Sequence, residues 1–262
     1  MKKLEPTPSP EAGPLATPPP MPPSMPGPPA APPTDSGSGK WGSQPWYDRF
    51  DDVGFAEVAG AVVLAADAYG YTHAAAHLAH YLDNTGDLLN LNVDSVLHDV
   101  PDANTRANEI AEEEIRRVAN NAIAASDYGT SMTFQSGWNG FYISQDLSAD
   151  WFFAMGGIRM AASGAVTTLE PAKRAEPSVV VAYRVHIFDR YNWDEGKSTD
   201  IAGVTVTDKS MGELVTAGLA REYNIEGSSE VRWYKGTIPA NGPLNLPGSK
   251  DSRDGERSDP TR

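Results

Sequence analysis

Ser178-Val-Val-Val-Ala-Tyr-Arg-Val-His-Ile-Phe188 is the stretch on which the architecture turns. Val179, Val181, Tyr183, Val185 and Ile187 recur at every second position, the period of a strand with one buried face. Working back from it, 132–134, 140–143, 151–154 and 157–169 read as further strands, with Ser, Gly, Asn and Asp between them. The segment 170–177 carries Pro171 and Pro177 and reads as a hairpin connection. Beyond it, 201–207 is a short strand and Asp208 caps a helix. There Met211, Leu214, Val215, Gly218 and Leu219 follow the i, i+3, i+4, i+7, i+8 pattern. Strands at 223–225 and 230–235 follow.

Before residue 130 the period is helical. Residues 55–83 are Ala-rich and predict one or two helices broken near Gly70, with Phe55, Val58, Val62 and Ala66 on one face. The clearest helix is 102–125. It starts near Asp102, carries Ala107, Ala111, Ile115, Val118 and Ala122 on one face, and has Glu112–Arg116 and Glu113–Arg117 pairs on its flanks. The expectation is α+β: a helical N-terminal lobe packed on an antiparallel β-sheet with one additional helix, between disordered Pro-rich and charged tails.

Composition draws the boundaries. Fourteen of the 22 prolines fall in residues 1–40, a stretch that favours solvated polyproline II. Residues 1–44 therefore read as a disordered Pro-rich tail, 45–238 as one α+β domain, and 239–262 as a disordered C-terminal tail. Residues 41–248 hold 14 Lys/Arg and 28 Asp/Glu, so the whole net charge of −14 sits on the folded part. Such a domain is a poor partner for nucleic acid, whose binding rests on neutralising phosphates. A bound divalent cation would invert the local sign and admit a phosphorylated substrate. With no Cys, disulfide and thiolate chemistry is excluded. Lys2 and Lys3 run into Pro-rich sequence, which predicts no signal peptide, and no apolar run predicts a transmembrane segment. The expected location is the cytoplasm, or the outside by a route without a cleaved signal.

The chemistry gathers where the long strand ends. Asp189, Tyr191, Asp194 and Glu195 follow Ile187, with Phe188 and Trp193 between them. Carboxylates among aromatics at a strand end suit a cation site or an acid/base pair, and equally a solvated turn. Arg190 and Lys197 are the basic groups at hand. Gly196-Lys197-Ser198 lacks the earlier Gly and the following helix of a phosphate loop, and Tyr191 and Trp193 occupy positions where an EF-hand needs oxygen donors. Donors from elsewhere, such as Asp83, Asp146 or Asp150, would have to complete a cation site. His73, His77 and His80 share a helix face, either as metal ligands or as core packing. The aromatic residues of 137–142 and 151–153 read chiefly as core.

Asp189-Arg-Tyr191 resembles the Asp-x-Tyr-Asp segment of the colicin M-type toxins, which hydrolyse the lipid-linked cell-wall precursor. Asn192 stands in place of the second Asp, Asp194 comes two residues late, and the following His-Arg pair is missing. The layout also resembles the lipid II phosphatase toxins of type VII secretion, with a helical lobe, a sheet lobe and an Asp-rich calcium site between them. The resemblance implies a metal-dependent phosphohydrolase acting on a lipid II-like pyrophosphate, with a cognate immunity protein as partner. The resemblance carries over Asp189 and Asp194 alone, as ligands of Ca²⁺ or Mg²⁺; Glu195, the next carboxylate in the chain, is the candidate third ligand. His186, or a histidine of the helix row, is the expected base, with Tyr191 and Lys197 orienting the leaving phosphate. The other reading is a non-catalytic interaction domain tethered by a Pro-rich linker.

Overall fold

A computed structural model of the chain describes residues 24–33, 37–171, 176–193, 198–201, 204–239 and 242–248. Helix α1 (Phe50–Ala68) turns at Gly70 into α2 (Thr72–Leu82). Gly70 has a φ of 87°, a left-handed conformation that glycine adopts without steric cost. A short β1 (Leu89–Asn90) leads to α3 (Val93–Asp99) and to the long α4 (Pro101–Ala125). Pro101 at the first helical position gives up an amide that has no partner there in any case. Then come β2 (Ser131–Gln135), β3 (Asn139–Tyr142), α5 (Ala149–Ala154), β4 (Gly157–Leu169) and β5 (Ser178–Tyr191). The small hairpin β6 (Ser198–Ile201) and β7 (Val204–Thr207), α6 (Asp208–Ala217), β8 (Tyr223–Ser228) and β9 (Arg232–Thr237) complete the order.

The long strands β4 and β5 pair antiparallel from Arg159↔Phe188 to Leu169↔Ser178 and form the spine of a seven-stranded sheet. Each flank of that spine is shared by two short strands. β2 and β3 divide β4 between them, and β9 and β8 divide β5. Val179, Val181, Tyr183, Val185 and Ile187 are all buried, as their alternation requires. They share one core with Ala107, Ala111, Ile115 and Val118 of α4, and Ala122, the last of that expected face, is buried as well. A second cluster joins α1, α2 and α6 to the far end of β5 and to β8. The long strand thus runs from one core into the other.

The α+β architecture is as expected, with departures in detail. The expected single strand 201–207 is divided between β6 and β7. Thr207, not Asp208, caps α6, its Oγ1 accepting from the amide of Ser210. Arg117 pairs with Glu114, one position on from the expected Glu113. The sheet is mixed, because β1 pairs parallel with β8 (Leu89↔Ile225). Residues 151–154 form α5 rather than a strand. Ser148 Oγ accepts from the amide of Trp151, so a helix cap overrides the β preference of Trp-Phe-Phe.

Both presumed tails are partly held against the domain. Ser163 Oγ–H donates to the carbonyl of Pro26, and Ser38 Oγ–H donates to that of Trp193. Gly37, at φ 60°, lies so close to the Glu222 carboxylate that a side chain there would collide with it. At the other end Leu244 is buried in the α4 core, and Arg116 donates to the carbonyls of Pro239 and Gly242. Apolar burial of one leucine outweighs the polar character of the neighbouring sequence. Leu244→Ala is expected to cost about 2–3 kcal/mol, read as a lower urea midpoint with unchanged slope. A change under about 0.5 kcal/mol would show that the segment contributes no core.

Candidate active site

Alternation along β5 continues past Ile187, so Asp189 and Tyr191 share the face that looks toward the helices, and His186, Phe188 and Arg190 share the other. Cross-strand pairing sets Asp189 beside Ile225 and Tyr191 beside Tyr223. The Tyr191 and Tyr223 rings stack at 5.1 Å between centroids and 12° between planes. Tyr81 from α2, Trp193 and the His77 ring close around Tyr191 at 5.6, 6.0 and 6.2 Å. Asp189 stands half-buried at the margin of this aromatic cluster.

Hydrogen bonds fix the cluster. Tyr223 O–H donates to the carbonyl of His77 at 2.8 Å, and Tyr81 O–H donates to that of Met211 at 2.8 Å. Burial pushes the Tyr81, Tyr191 and Tyr223 hydroxyls far above the ordinary range, and the charge of Asp189 adds to the rise at Tyr191 and Tyr223. Tyr191 therefore keeps its proton and acts only as a neutral donor.

The histidine row resolves into packing. His73 stacks on Trp151 at 3.8 Å, and the Trp151 indole donates to Asp99. His77 Nδ1–H donates to the carbonyl of Ala154, and His80 Nε2–H to that of Asp87. Asp150 is spent on the start of α2, accepting from the amides of His73 and Ala74. The ring nitrogens of the row thus turn to separate partners.

His186 is not brought to Asp189. It lies on the opposite face of the strand, buried between Ser163 Oγ at 2.8 Å and Ser228 Oγ at 2.7 Å, and desolvation lowers its pKa to about 4. The expectation that it is the base fails because residues one, three or five apart in a strand point to opposite faces. The histidine that reaches the Asp189–Tyr191 face is His77, also lowered to about 4 by burial. Asp194, Glu195 and Lys197 lie outside the described residues. Arg190 is engaged on the far face, 3.0 Å from the buried carboxylate of Glu222. Tyr81 and Tyr223 complete the site and were not expected there. Their signals were Tyr81 one turn after His77, and Tyr223 in alternation with Ile225.

Two depressed histidines give the protein an acid liability. Above pH 6.5 both rings are neutral folded or unfolded, and the effect is absent. Below 6.5 the unfolded chain takes up protons that the native rings refuse until about pH 4. Stability is expected to fall through that window by about 1.4 kcal/mol per pH unit for each histidine. Native imidazole C2–H resonances followed by NMR test this. Titration of His77 or His186 near pH 6.5 would overturn it.

No protein-family model matches the chain, and no curated protein matches it in sequence. Solved structures do resemble it. PaeM, a colicin M-like bacteriocin produced by Pseudomonas aeruginosa, is 16% identical with a TM-score of 0.35, over 63% of this chain and 51% of its own. A truncated bacteriocin, syringacin M from Pseudomonas syringae pv. tomato DC3000, is 15% identical with a TM-score of 0.34, over 64% and 61%. The chain spans about half of one of these structures and three fifths of the other, and no residue role passes from them to it.

Proposed function

We propose that the protein is an antibacterial toxin whose folded unit hydrolyses a lipid-linked pyrophosphate of the lipid II type, with Asp189 as the acting carboxylate. The observation that carries this reading is the pairing of Asp189 with Tyr191 on one face at the end of β5, beside a neutral buried histidine. A carboxylate there accepts a proton from an attacking water as the new P–O bond forms and the bond to the leaving oxygen breaks. Tyr191, held protonated, and the rings around it provide a rigid, dry wall on one side of that carboxylate.

Among the described residues no group of three or more His, Asp or Glu is placed to hold a metal ion, so Asp189 does not make a cation site with them. The proposed donors for Ca²⁺ or Mg²⁺ are Asp189 with Asp194 and Glu195. Such an ion, when bound, neutralises charge on the phosphate oxygens. Among the described residues no helix is long and apolar enough to cross a membrane.

The test incubates the purified full chain with lipid II and with undecaprenyl pyrophosphate, with Ca²⁺, with Mg²⁺ and with chelator, and resolves the products by chromatography. Release of a phosphorylated product that chelator stops and added ion restores is the expected result. If neither substrate is cleaved under any of these conditions by the folded protein, the hydrolase reading falls and that of an interaction domain replaces it.

A further inference from the structure

The face of the sheet that carries His186 and Phe188 is covered by the chain's own residues 24–33. Three side-chain donors from separate places meet that segment's carbonyls. Ser163 Oγ–H on β4 donates to Pro26 at 2.6 Å, Gln135 Nε2–H at the end of β2 to Gly27 at 2.9 Å, and the Trp138 indole N–H to Ala30 at 2.8 Å. A proline-rich ligand has few amide hydrogens to offer, so a protein recognises it through its carbonyls and through flat apolar walls for its rings. The carbonyls of Gly27 and Ala30 are three residues apart, the repeat of a polyproline II helix, so in that conformation both present to one side. Trp138 and Phe188, in ring contact at 5.9 Å, supply the wall. Pro28 and Pro29 line with it an open cleft of about 260 Å³ that extends to Glu226 and Leu88.

The donor at Ser163 is built in, not incidental. Ser163 is fully buried, and its proton is committed to Pro26. The Ser163 Oγ therefore accepts from His186 Nε2–H, and His186 Nδ1 accepts from Ser228 Oγ–H. This chain of polar groups, exposed at Ser228 and buried at His186 and Ser163, ends on a carbonyl of the covering segment. The carbonyl of Pro26 thereby fixes the direction of the chain, since in the other His186 tautomer the Ser163 Oγ–H turns to His186 Nε2 instead.

We propose that this face is a groove for polyproline-type peptides, and that residues 24–33 are its tethered ligand. The ligand it takes is an uncharged, Pro-rich peptide with carbonyls at a three-residue repeat. The chain repeats that chemistry, with adjacent prolines at 22–23, 28–29 and 32–33. The proposal does not rest on the hydrolase reading, since Asp189 lies on the opposite face of β5.

A labelled peptide of residues 24–33 tests it by fluorescence polarisation against the full-length chain. In the wild type the tethered copy competes at an effective concentration in the millimolar range. P28G/P29G loosens that copy, and the peptide is expected to bind this variant at least about tenfold more tightly than the wild type. Adding Trp138→Phe to that variant removes one donor and is expected to weaken binding by about fivefold. A control peptide with its five prolines replaced by Ala is expected not to bind. Should P28G/P29G fail to fold, a nitroxide-labelled peptide at millimolar concentration is added to the wild type, where it is expected to broaden the Trp138 indole resonance selectively. Equal affinity for wild type and P28G/P29G, indifference to Trp138→Phe, or an unbroadened Trp138 signal would each overturn the groove.

Discussion

Asp189→Asn is expected to cut the release of phosphorylated product from lipid II by at least about 100-fold, as loss of a general base or a metal ligand does. The fold is expected to survive. Asp189 is half-buried at the end of β5, its strand partner is Ile225, and Asn keeps the shape of the side chain while removing its charge. The charge matters to its neighbours as well: Asp189 helps to raise Tyr191 and Tyr223, so its removal lowers both hydroxyls somewhat. The melting temperature measured with and without Ca²⁺ and Mg²⁺ separates two roles for the carboxylate. A ligand that binds only the native state raises that temperature by mass action. If Asp189 is a cation ligand, the rise seen in wild type disappears in Asp189→Asn; if it acts on water alone, the rise is unchanged while activity is still lost. Retention of wild-type turnover by Asp189→Asn would remove Asp189 from the chemistry altogether.

How much of this was legible in the sequence depends on the range of the interaction that fixes each element. Strand β5 and helix α4 could be read because one period, two or three to four residues, places every buried side chain in contact with the same partner surface. Helix α5 could not, because one serine hydroxyl on a backbone amide outweighs the β preference of three aromatic residues. The parallel pairing of β1 was equally hidden: two residues carry no period, and their partner strand lies more than 130 positions away. At the site, spacing alone brought Asp189 and Tyr191 together, and the same alternation removes His186, which shares the strand but not the face. The Pro-rich segment was legible in conformation but not in position. Proline content states that such a segment will not fold by itself. It cannot state that a sheet face elsewhere offers three donors to its carbonyls.

Tyr191→Ala is expected to cost about 3–5 kcal/mol, the range for removing a large aromatic side chain from a core. The ring is surrounded by Tyr223, Tyr81, Trp193 and His77, which come from β8, α2 and the loop after β5, so its loss opens a cavity where the helical lobe meets the sheet. For a domain of this size that is a fall in melting temperature on the order of 10 °C. Tyr191→Phe keeps every ring contact and removes only the hydroxyl, so its stability is expected to stay within about 1.5 kcal/mol of wild type. The two substitutions therefore divide the residue between packing and chemistry. If the hydroxyl orients the leaving phosphate, Tyr191→Phe loses turnover at nearly constant stability. If Tyr191 serves only as the keystone of the cluster, Tyr191→Phe keeps its turnover and only Tyr191→Ala fails, by unfolding. A Tyr191→Ala protein that melts within about 2 °C of wild type would refute the cluster itself, because no rearrangement of four neighbouring rings fills that volume without cost.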